Sequence, residues 1–158
     1  MKNHIEIFDA KFADVNRRSV ELINLTTEES LFAKPRPLEK TMTMFSVGEY
    51  VLRSAGKVEQ TFGGITTRLW DDPFEWTLPE KLYSNDLILN YLAEVEETKN
   101  KGFGLFQTDE DLRREMPAPV KIKTIFEILL ETLNTAEHFQ GRAFAVFQVF
   151  SDAKLPKI

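Results

Sequence analysis

The stretch "SVGEYVLRSAGKVEQTF", residues 46–62, decides the fold. Ser46 with Glu49 three residues later is a capping box, in which hydroxyl and carboxylate each satisfy an amide that the first helical turn leaves without a partner. From there Val47, Val51, Ser54, Val58, Phe62 (or Thr61), Ile65 and Leu69 recur at spacings of three or four. That is the period of an amphipathic helix, running to about Trp70. One small hydroxyl, Ser54, interrupts its apolar stripe. Gly56, Gly63 and Gly64 each lower helix propensity by about 1 kcal/mol relative to alanine, so a close approach or a local irregularity is expected there.

Three further helical patterns flank this one. Upstream, Ile5, Phe8, Phe12, Val15, Ser19, Leu22 and Ile23 form a single stripe, ended before "LFAKPRP", whose Pro35 and Pro37 remove backbone donors. Downstream, "DDPFEWTLPEKLY" (71–83) is broken by Pro73 and Pro79 yet carries Phe74, Trp76 and Leu78, so it is expected to pack across the end of the bundle. Ser84 or Asn85 then caps a third helix with Leu87, Ile88, Tyr91, Leu92, Val95 and Thr98 inward, fading near Gly102 and Gly104. After the short acidic helical turn "TDEDLRREMPAPV", a fourth helix is expected from about Val120 to Phe150. Its apolar face is Ile122, Ile125, Phe126, Leu129, Leu133, Ala136, Ala143, Phe147 and Phe150. Almost nothing reads as strand. The chain is therefore expected to be one all-α domain, 1–158, built as a four-helix bundle.

Composition narrows the function classes. There are 25 acidic and 20 basic residues, net charge −5, with the cations scattered, so nucleic acid is not an expected partner. The absence of cysteine removes disulfides, thiolate nucleophiles and sulfur-ligated metals. No run approaches the roughly 20 apolar residues of a membrane span, and residues 1–19 lack the apolar core of a secretory signal. A cytoplasmic location is the expectation. No GxxxxGK[ST], GxGxxG or HExxH is present, and "GFG" at 102–104 is too short to cradle phosphate. The carboxylates at 94–97 and 109–111 read as solvated faces. The two histidines are His4 and His138, and no glutamate stands three residues before His138, so a di-iron carboxylate bundle is not expected either.

Taken over nearly its full length, the chain resembles the DinB superfamily, the DinB/YfiT-like metalloenzymes. The resemblance rests on the "LFAKP" loop, the "SVGEYVLRSAGKVEQTF" entry to the second helix, the Trp-containing connection, and "LLETLNTAEHFQGRAFAVFQVF" with its following "LP". It implies up-down-down-up order, with 71–83 as a long crossover between the second and third helices. It also implies nickel or zinc held by three histidines, one on the second helix and two a turn apart on the fourth. Characterised relatives include thiol-dependent transferases and isomerases.

The histidines themselves are missing. Matching "SAGKVE" (54–59) to the family's second-helix phrase puts Ser54 at the first ligand position. Anchoring the fourth helix on Gly141 puts Thr135 and Phe139 at the other two; anchoring on "TAEH" puts Asn134 and His138 there, with a one-residue insertion. Thr135 and Phe139 lie at the edge of the apolar face and His138 on its far side, which favours the first register. Hydroxyls alone are poor nickel or zinc ligands. The expectation is a bundle without the metal, its former site a small pocket of Ser54, Thr135 and Phe139 open to a small molecule. The alternative is a nickel- or zinc-dependent, thiol-linked S-transferase or hydrolase with a rebuilt site of His138, Asn134 and Glu59. Thirteen phenylalanines exceed what one seam needs, and a homodimer through a helix face is expected.

Overall fold

The computed structural model describes residues 1–35, 44–73 and 77–158; Pro37, Phe74 and Trp76 of the two connections lie outside them. Four helices, α1 (Asn3–Leu25), α2 (Val47–Thr67), α3 (Asn85–Phe103) and α4 (Ile125–Phe150), build an all-α bundle. The capping box at Ser46 and Glu49 is formed, and Ser84 caps α3 by accepting from the Leu87 amide.

Contacts along the helices fix their directions. Asn85, at the start of α3, donates to the carbonyls of Ile23 and Thr26 at the end of α1, and Lys99 pairs with Asp9, so α1 and α3 are antiparallel. Ser54 meets Ala136 and Thr61 meets Thr132, so α2 and α4 are antiparallel. Phe8 packs on Phe126 and Arg18 bonds Gln140, so α1 runs with α4. Glu59 accepts from Tyr91 and Phe62 stacks on Phe103, so α2 runs with α3. The order is up-down-down-up. Two parallel helices in succession require the chain to travel back along the bundle, and residues 68–84 make that return.

At the centre, the rings of Phe12, Phe62 and Phe103 meet at 5.1–6.0 Å. Each fully buried phenylalanine contributes about 1.5–3 kcal/mol of hydrophobic stabilisation. Gly102 lets α3 approach this cluster, because a Cβ there would overlap the Phe62 ring. The glycines of α2 serve the crossover instead. Gly64 lies under the Trp70 indole, and a Cβ on Gly56 would stand 3.1 Å from the Pro73 ring. The crossover is thereby seated on the outer side of α2.

The structure corrects two helix boundaries and one inward position. The fourth helix starts at Ile125 and not near Val120, since β1 (Glu115–Pro117) and β2 (Ile122–Thr124) form an antiparallel hairpin and Thr124 makes a capping box with Glu127. Ile122, expected on the apolar face of α4, is therefore 64% exposed. α2 stops at Thr67 because Arg68 turns left-handed, at φ 65°, leaving Leu69 exposed. On α3 the buried residue is Lys99 and not Thr98. The acidic turn is a short 3-10 helix, Asp109–Arg113.

Candidate functional site

Of the positions at which the family resemblance places a ligand, the α2–α4 seam buries Ser54. Its interior is closed by hydroxyls. Ser54 is fully buried and donates to the Ala136 carbonyl at 2.8 Å; one turn further on, Thr61 and Thr132 share a hydrogen bond of 2.7 Å. The space between Ser54, Ser19 and Leu92 measures about 10 Å³, at the lower limit for a single water. Nickel or zinc asks for neutral imidazole or charged donors around an ion. A hydroxyl already committed to a main-chain carbonyl, in a space of this size, does not fit either metal.

The partners foreseen for Ser54 point elsewhere. Thr135 is half-buried and spends its hydroxyl on the Glu131 carbonyl of its own helix, at 2.9 Å. Phe139 turns outward, its ring 6.4 Å from that of Tyr50, and lines a groove on the solvent side of α2. His138 is exposed, its ring 5.8 Å from that of Phe139, and Asn134 is exposed as well. Glu59 lies on the α3 flank of α2, where the Tyr91 hydroxyl donates to it. Burial, reinforced by the Glu59 carboxylate, pushes the Tyr91 phenol well above its ordinary value. His138, Asn134 and Glu59 are not brought together. Among the described residues no group of three His, Cys, Asp or Glu side chains is placed to share a metal ion.

The inward position of α4 one turn past Ala136 is Gln140, which sequence reading passed over. Its amide donates to the Val15 carbonyl at 2.6 Å and to Ser19 Oγ at 2.8 Å, and its oxygen accepts from Arg18 Nε at 2.8 Å. Arg18, also buried, reaches Glu137 at 2.6 Å. The spacing of Gln140 from Ala136 and Ala143, four and three residues, was the available signal.

The groove outside α2 has a volume of about 160 Å³. Arg53, Gly56, Lys57 and Gln60 form its α2 side, Phe139 its α4 end, and Asp72, Pro73 and Thr77 the crossover side. Arg53 stacks its guanidinium 3.9 Å over the Phe45 ring. Lys57 is half-buried, and burial lowers its pKa; Glu131 and Asp72 work against this while Lys123 adds to it. Compared with protein-family models, curated proteins and solved structures, the chain matches none.

Proposed function

We propose that this chain is a DinB-type helical bundle that dispenses with the histidine-held metal and binds a small molecule in the groove between α2, Phe139 and the crossover. One observation carries the reading: Phe139, at a former ligand position of the resemblance, lines the groove with Arg53 and Lys57, while Ser54, at another, is sealed in the core. Small-molecule sites combine apolar walls with a few convergent polar groups, and the groove has both. The alternative enzyme, with nickel or zinc on His138, Asn134 and Glu59, would need side chains that stand on different faces of two helices.

The test is a fragment screen read by amide NMR. Ring-containing fragments shift Gly56, Lys57, Gln60 and Phe139 if the reading holds; shifts confined to other surfaces, or none, overturn it. For the oligomer, we propose a homodimer over the outer face of α4, where Phe126 and Leu130 stand exposed one turn apart. Light scattering on Leu130→Glu should then show a monomer where the wild type is dimeric. A cytoplasmic location completes the reading, in keeping with a cysteine-free chain in which, among the described residues, no helix is long and apolar enough to cross a membrane.

A further inference from the structure

Among the described residues the two buried cations, Arg18 and Lys99, are each compensated within the chain. Arg18, 3% exposed, has Glu137 at 2.6 Å and the Gln140 oxygen at 2.8 Å. Lys99, 2% exposed, has Asp9 at 2.8 Å and Glu96 at 2.7 Å. Lys57 is different. Its ammonium makes one long hydrogen bond, 3.4 Å, to the Gln60 side-chain oxygen, and among the described residues no carboxylate stands within ion-pair distance of it. Glu131, the acid that would serve it across the seam, is taken by Lys123. Glu131 and Asp72 act on the ammonium only from beyond ion-pair distance and do not outweigh its burial, so it is a net cost to the fold, and an anion delivered to it offsets that cost.

The surroundings say which anion. The groove holds about 160 Å³, well above the roughly 10–15 Å³ that one water needs, which leaves room for a carboxylate on a small ring or branched chain. Phe139 and Pro73 supply apolar contact along the same groove. Asp72 lines it too, which penalises a second negative charge on the ligand. We propose that the groove binds a small organic monocarboxylate, its head group on the Lys57 ammonium and its apolar body against Phe139 and Pro73. This deepens the small-molecule reading above and rests on it.

The probes are benzoate, neutral benzamide and doubly charged phthalate, titrated calorimetrically and by amide NMR into the wild type, Lys57→Met and Lys57→Arg. Benzoate is expected to bind at least about ten-fold more tightly than benzamide or phthalate, and Lys57→Met to lose about that factor, as for a charge-assisted hydrogen bond. Lys57→Arg should retain part of the affinity. Melting temperatures of both variants report on folding, and Lys57→Met should melt no lower than wild type. If benzoate and benzamide bind alike and Lys57→Met changes neither, the carboxylate inference is overturned and the groove reading stands. If none of the three probes shifts Gly56, Lys57 or Gln60, both fall together.

Discussion

Ser54 shows how one buried hydroxyl closes the seam between two helices. Its burial was legible in the sequence, because it falls in step with Val47, Val51 and Val58. Replacing it by alanine removes the bond to the Ala136 carbonyl and should cost about 0.5–1.5 kcal/mol in urea unfolding. Ser54→His, which introduces the histidine that the resemblance implies at this position, should cost about 1–3 kcal/mol through overpacking, since only about 10 Å³ lies beside it. The turn of Phe139 was not legible. A residue at the edge of an apolar arc can face the core or a neighbouring groove, and helical period alone does not say which. Lys57 carries the pH prediction. Burial lowers its pKa, so the unfolded chain binds its proton more tightly than the folded one, and the penalty is complete below the lowered value. Lys57→Met should therefore be more stable than wild type at neutral pH. That advantage should shrink as pH rises through the lowered value toward the ordinary 10.5, as denaturation of the two proteins side by side would record.

Among the elements, α4 was found by its period but not by its start. Ile122 falls in phase with the helical stripe but is also β-branched, and pairing of 122–124 with 115–117 takes it from the helix. Thr124 then begins α4, accepting from the Glu127 amide at 3.1 Å. Thr124→Ala should cost about 1 kcal/mol in unfolding free energy. The Thr124 amide, and after it the hydroxyl, hold the Glu127 carboxylate below its ordinary range. Its stabilisation of the helix end is complete above the ordinary carboxylate pKa and lost as pH falls through the lowered one. Glu127→Gln should flatten that part of the acid unfolding curve. Gly102→Ala should cost more than helix propensity returns, about 1–3 kcal/mol, because the new methyl overlaps the buried Phe62 ring.

For the whole molecule, the up-down-down-up order follows the parallel run of α2 and α3, which the family resemblance implied and the residues of the connection by themselves did not. The polar centre was harder to foresee. Arg18, Ser19, Gln140 and Glu137 come together from α1 and α4, more than a hundred residues apart, and helical spacing within one segment carries no signal for such a meeting. These side chains, the Ser54 bond to the Ala136 carbonyl and the Thr61–Thr132 hydroxyl pair satisfy one another between the helices and, among the described residues, leave no set of ligands for the metal that the resemblance implies. The most direct test of that account is the nickel and zinc content of protein purified without an affinity tag, followed by titration of both metals into wild type and His138→Ala. The account predicts less than about 0.1 metal per chain and no micromolar binding in either protein, where an intact site of charged and imidazole ligands would fill. Stoichiometric metal that disappears in His138→Ala would contradict it.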